Sequence, residues 1–157
     1  MDDTTLDRRI LAYLQREGRA GPLEIAEATD TVATTVQKRL KAMEESGVVR
    51  GHEPRLDYSK LGYPVTALLS LSVHDGAVRP FTARVKADDR LVSVYELAAG
   101  PFNVLVVGKY PDEAAMDDHL GELVTDATVK TGRANVVRRV HVEYEPLELG
   151  DDTDAEA

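Results

Sequence analysis

The chain has 157 residues, 43% hydrophobic and 30% charged, with a formal net charge of −9 and no cysteine. That length holds one domain or two small ones around a real core, and the cysteine count excludes disulfides, thiolate metal sites and thiol redox chemistry in these residues. No apolar run approaches the roughly 20 residues of a membrane-spanning helix, and the charged opening MDDTTLDRR lacks the form of a secretory signal, so a cytoplasmic protein is expected.

Thr4-Thr5-Leu6-Asp7 offers a hydroxyl cap and an acid in the first turn of a helix. Leu6, Ile10, Tyr13 and Leu14 continue at helical spacing, and Gly18 ends the run. Pro22 suits the first turn of a second helix over residues 23–28, with Leu23, Ile25 and Ala26 apolar. Thr29-Asp30-Thr31 is a short turn, and a third helix is expected over residues 32–45, stopped by Gly47. In this helix Val36, Leu40 and Met43 form one narrow apolar stripe, extended by Val32. Opposite lie Thr34, Lys38 and Lys41, with Thr35 and Gln37 on the flanks and Arg39 nearer the apolar edge.

Between Thr31 and Lys41 there are three basic side chains and no acid. Hydroxyls, an amide and cations on one helix face suit a DNA major groove, where base edges and phosphates accept hydrogen bonds; a solvated charged face has the same composition. Three short helices with a tight turn before the last form a helix-turn-helix, whose final helix enters the groove. The expected DNA-contacting set is Thr31, Thr34, Thr35, Gln37, Lys38, Arg39 and Lys41. Thr34, Thr35, Gln37 and Lys38 would lie nearest the bases, and Arg39 and Lys41 nearer phosphates.

The run LDRRILAYLQREGRAGPLEIAEATDTVATTVQKRLKAMEESGVVRG, followed by RLDYSKLGY, resembles the Lrp/AsnC family of prokaryotic transcription regulators. The likeness extends over roughly residues 6–145 and rests on the order and spacing of weak motifs. It implies a DNA-binding domain, a connector, and a domain that binds a small effector and joins subunits. Two positions depart from the family pattern: Asp30 stands where the helix-helix turn usually has Gly, and Val32 where it usually has Ser. Asp tolerates a left-handed turn, and Thr31 is the replacement cap.

Residues 48–50 read as no more than a strand stub. Residues 51–63, with Pro54, a turn-like Asp57-Tyr58-Ser59 and Gly62, read as connector. Charge changes here: residues 1–62 carry 10 Lys+Arg against 11 Asp+Glu, and residues 63–157 carry 9 against 17. Lys supplies 6 of 19 bases and Asp 15 of 28 acids, the balance of a surface adapted to high salt, as in a halophile.

Residues 65–74 alternate as a half-buried strand, with Val65, Ala67, Leu69, Leu71 and Val73 on one face. A helix over 77–87 (Val78, Phe81, Val85) follows, then strands over 91–98 and 102–109 joined around Ala99-Gly100-Pro101. Pro111-Asp112 opens a second helix with Met116, Leu120, Leu123 and Val124 as its stripe, and a last strand is expected over 134–145. Strand, helix, strand, strand, helix, strand is the ferredoxin-like βαββαβ order, an antiparallel four-stranded sheet with both helices on one face. The fold class is thus α+β: helix-turn-helix over 1–50, connector over 51–63, ferredoxin-like domain over 64–146, and an acidic disordered tail over 147–157. The near-continuous apolar run Val104-Leu105-Val106-Val107 requires cover on both faces. Two helices cover one, so a second subunit is expected on the other.

The resemblance implies an amino-acid or related metabolite site near the turn between the second and third strands, where the family has Gly followed three residues later by Asp. Here these are Gly100 and Asn103, so Gly100, Pro101 and Asn103 form the expected effector set. Gly supports a tight turn with backbone N–H groups that could receive a carboxylate, whereas Asn lacks the charge that would hold an ammonium. His52, His74, His119 and His141 have no metal-ligand spacing, and His119 with Asp117, Asp118 and Glu122 reads as a solvated acidic face. No nucleophile elbow or phosphate-binding loop is present. The expected protein is not an enzyme and needs no cofactor or metal. It is a sequence-specific DNA-binding regulator, a homodimer or larger homo-oligomer, with double-stranded DNA and a small metabolite as partners and no membrane. The alternative is a metabolite-sensing or scaffold oligomer that has lost specific DNA binding.

Overall fold

The computed structural model describes residues 3–149, which fall into two compact units: residues up to Pro54 together with those from Val142 onward, and Arg55–His141. The last part of the expected acidic tail, residues 150–157, lies outside the described residues.

The first unit contains α1 (Asp3–Arg16), α2 (Pro22–Thr29) and α3 (Ala33–Glu45). Their apolar stripes meet in one core: Ile10, Ile25 and Val36 are fully buried, with Ala26 and Met43 beside them. Pro22 stands in the first turn of α2 after an extended Gly21. Gly47, at φ 78, ends α3 with its N–H on the Glu44 carbonyl, 3.0 Å. α1 begins at Asp3, so Thr4 lies inside the helix and is not its cap. No strand forms over 48–50; Val49 packs on the core and Val48 stays exposed.

The second unit opens with a 3-10 turn, Tyr58–Leu61, capped by the Asp57 side chain and closed by Gly62 at φ 91. Then come β1 (Val65–Val73), α4 (Val78–Val85), β2 (Leu91–Glu96), β3 (Val104–Tyr110), α5 (Glu113–Val124) and β4 (Val129–Val136). The sheet is antiparallel throughout, in the order β2-β3-β1-β4. Alternation places Ala67, Leu69, Leu71 and Val73 of β1 and Val104, Val106 and Tyr110 of β3 in one core with Phe81, Val85, Met116 and Leu123 of the helices. The Asp112 side chain caps α5 by accepting from the Ala115 N–H at 2.8 Å. On the other side of the sheet Leu68, Leu105 and Val107 are half-buried and Tyr95 is exposed. No helix among the described residues is long and apolar enough to cross a membrane.

The last strand departs most from its expected limits, lying over Val129–Val136 and not 134–145. Pairing decides this. β1 starts at Val65, Val136 lies opposite Ala67, and the Val137 N–H reaches the Thr66 carbonyl at 2.8 Å. Beyond that point β1 offers no ladder, so the alternation of Val140 and Val142 does not extend the strand. At the other end, Gly132 looks like a strand breaker but is required. A Cβ there would lie 2.7 Å from Leu71 Cδ2 and 2.8 Å from Val124 Cγ1.

Candidate nucleic-acid interface and ligand cleft

The turn between α2 and α3 forms with Asp30 in the position that usually favours glycine. Asp30 adopts φ 53, ψ 51, and its backbone N–H returns to the Ala26 carbonyl, as does that of Thr31 at 3.0 Å. The buried Thr29 hydroxyl donates to the Ile25 carbonyl at 2.7 Å, tightening the end of α2. The cap of α3 is Val32, extended and without a side-chain hydrogen bond, so Thr31 does not take over capping. Among the described residues no side chain caps the N-terminus of α3, so its first N–H groups lack that partner.

Thr34, Gln37, Lys38 and Lys41 are exposed, while Thr31 and Thr35 are half-buried. Lys41 remains 76% exposed, loosely paired to Glu45 at 3.8 Å. Lys38 makes no ion pair among the described residues. Arg39 points elsewhere: its guanidinium grips the Asp7 carboxylate on α1, with Nε 2.7 Å from Oδ1 and a second contact from Nη2 to Oδ2. Both side chains are only 23% exposed. Arg39 therefore ties α3 to α1. Its place on the helical wheel, beside the apolar edge, is consistent with that.

In the second unit, Gly100, Pro101 and Asn103 border a cleft of about 650 Å³ that is also lined by Ser72, Asp75, Arg79, Glu96 and Lys130. Gly100, at φ 105, takes a backbone conformation that side-chain-bearing residues rarely adopt. Two carboxylates and two cations around one opening suit a zwitterion. These charged residues come from separate elements, and no spacing in the sequence links them.

Asn103 is held against the end of β1. Its Nδ2 donates to the Val73 carbonyl and its Oδ1 accepts from the Val73 N–H, both at 2.8 Å. Its own N–H meets the Leu71 carbonyl at 3.1 Å. The amide thus continues the β1 ladder past the end of β3. Asn103→Asp puts an acceptor against the Val73 carbonyl and should cost about 1–3 kcal/mol; urea unfolding of the two proteins measures it.

His119, read as part of an acidic face, is fully buried, with Nδ1 2.8 Å from Tyr110 Oη. It cannot join the exposed Asp117 and Asp118 around a metal ion. Met116, His119 and Leu123 share one helical face, a phase present in the sequence but outweighed there by the neighbouring acids.

The family model described as winged helix-turn-helix DNA-binding matches residues 3–50. An uncharacterized HTH-type transcriptional regulator of Pyrococcus abyssi is 28% identical across 88% of this chain and 95% of its own. Another, of Pyrococcus furiosus, is 31% identical across 64% of this chain and 68% of its own. Among solved structures, the transcriptional regulator NMB0573/L-Met complex from Neisseria meningitidis shares the fold with TM-score 0.81, 21% identity, and 94% and 96% of the two chains covered. AsnC of E. coli shares it with TM-score 0.77, 18% identity, and 91% and 95% covered. With a helix-turn-helix followed by a four-stranded antiparallel sheet and its helices, the chain belongs to the HTH-type DNA-binding transcriptional regulators of the Lrp/AsnC family.

Proposed function

We propose that this regulator reads a specific DNA sequence through α3, with Thr34, Gln37 and Lys38 toward base edges and Lys41 toward a phosphate. The observation that carries this is the exposed face of α3, free of acids from Thr31 to Lys41 in an acidic chain. Thr31 and Thr35 border that face; Arg39 supports it from behind through Asp7. Copies associate through the half-buried Leu68, Leu105 and Val107 and the exposed Tyr95 on the open side of the sheet, giving a two-fold operator with half-sites about one helical turn apart. The cleft at Gly100 receives an amino acid or a similar zwitterion, its backbone N–H groups toward the carboxylate. The Neisseria fold neighbour is a complex with L-Met and supports that ligand class. The protein works beside DNA in the cytoplasm, and its excess of Asp over Lys suits an interior of high salt.

The test is a mobility shift with the protein's own upstream region against a scrambled duplex, run over a range of KCl. Lys38→Ala should weaken binding roughly fivefold, on the order of 1 kcal/mol, and lower the salt slope by about one if its ammonium neutralises a phosphate. Unchanged affinity removes Lys38 from the interface. Equal binding to both duplexes removes sequence specificity and favours the scaffold alternative.

A further inference from the structure

Val32 extends the apolar stripe of α3 in the sequence, yet it does not join the core that the stripe forms. It is 60% exposed, whereas Val36, one turn on, is fully buried and Ala33 packs against the core. Val32 is the N-terminal cap of α3, extended at φ −112 and ψ 145, with no side-chain hydrogen bond. That backbone suits a β-branched residue. Its carbonyl takes the N–H groups of Thr35 at 2.9 Å and Val36 at 3.2 Å, which fixes its place on the helix. Valine is among the poorest caps, and at this exposure it adds little to the core. Neither capping nor packing accounts for it.

Its position does. A capping side chain leaves the backbone just before the first turn, which is how Ser or Asp there reaches the N–H groups of the next turn. Val32 carries two methyl groups from the same place. In a helix-turn-helix, the N-terminal residues of the last helix are the ones that meet base edges. Around Val32 at this end stand the hydroxyls of Thr31, Thr34 and Thr35, and no acid occurs from Thr31 to Met43. Hydroxyls exchange hydrogen bonds with base edges and an isopropyl group cannot. The apolar group that marks a base in the major groove is the thymine C5-methyl.

We infer that Val32 packs its methyl groups on the C5-methyl of one thymine in each half-site, and so selects T·A at that base pair. This rests on the reading of α3 given under the proposed function. The contact is dry and uncharged, which separates it from that of Lys38: it sharpens sequence choice without adding to the salt slope.

For the test, the full-length protein enriches its preferred duplex from a randomised pool. Each thymine of one half-site is then replaced singly by deoxyuridine, which removes the methyl and keeps every hydrogen-bonding group. At one thymine this should weaken binding about fourfold in a mobility shift, the effect of roughly one buried methyl. Val32→Ser restores a capping hydroxyl, so it does not act by weakening the helix. It should bind the thymine duplex more weakly, with an unchanged salt slope, and be indifferent to that replacement within about 1.5-fold. Lys38→Ala should bind more weakly and keep the fourfold sensitivity, about as in the parent. A Val32→Ser protein that keeps this sensitivity, or a half-site in which no thymine methyl matters, overturns the contact, while a weakened Lys38→Ala upholds the reading of α3. If both variants bind as the parent does, or no duplex is enriched, the reading of α3 fails and the contact with it.

Discussion

Gly108→Ala is expected to destabilise the sheet unit by about 3 kcal/mol, above most single substitutions. A Cβ at position 108 would stand 2.2 Å from Tyr110 Oη, 2.5 Å from Cζ and 2.6 Å from Cε2. Neither partner can give way. Tyr110 is 1% exposed and its hydroxyl lies 2.8 Å from His119 Nδ1. Gly108 is opposite Ala67 on one side and Leu91 on the other, so the backbone of β3 is held from both. Moving the ring costs overpacking strain and breaks a buried hydrogen bond, roughly 1–3 kcal/mol from the first and about 1 from the second. Urea unfolding followed through the resonances of Tyr110 reads this unit alone. Tyr110→Phe keeps the ring and loses only the hydroxyl, so it should cost about 1 kcal/mol. A Gly108→Ala protein as stable as the parent would mean that the ring swings aside freely.

His119 is expected to make stability fall as the solution is acidified from neutrality. Burial, aided by the nearby Arg90 guanidinium, holds its basicity below the ordinary histidine value, and the Asp88 and Glu122 carboxylates only partly offset this. Burial pushes Tyr110 up to about 12, so its hydroxyl keeps its proton; with the Asp88 carboxylate facing Nε2, the imidazole proton belongs on Nε2 and the hydroxyl donates to Nδ1. The Nε2–H then faces Asp88 Oδ2 at 3.3 Å without hydrogen-bond geometry to any described group. Above about pH 6.5 the imidazole is neutral in both the folded and unfolded chain, and its contribution is complete. Below that value the unfolded chain binds a proton that the folded chain refuses, and stability drains away until the lower folded value is passed. Asp88 and Glu122, both lowered chiefly by hydrogen bonds from Arg90, act in a separate window below about pH 4. His119→Gln should remove the slope that sets in below about pH 6.5. His119→Ala, which leaves a cavity and an unpaired tyrosine hydroxyl, should cost about 3 kcal/mol near pH 7.5. An identical slope in the glutamine variant would assign it to other groups.

These two residues also mark where reading the chain stops short. Gly108 sits inside an apolar run with nothing to separate it from an incidental small residue, because its reason is a ring two positions along that folds back over it. His119 is overshadowed by Asp117 and Asp118, although its spacing from Met116 and Leu123 sets it on the buried face. Arg39 shows the converse: cationic and within the expected interface, it is claimed by Asp7, 32 positions earlier.

Periodicity alone determined the three helices, the βαββαβ order and the turns at Asp30, Gly47 and Gly100, since side-chain direction and backbone freedom are local properties that one chain carries with it. The limits of β4, the partners of Arg39 and Asn103, and the charged rim of the cleft were decided only by the fold. Each depends on which distant segment arrives opposite, and a strand ends where its neighbour does, whatever its own residues favour.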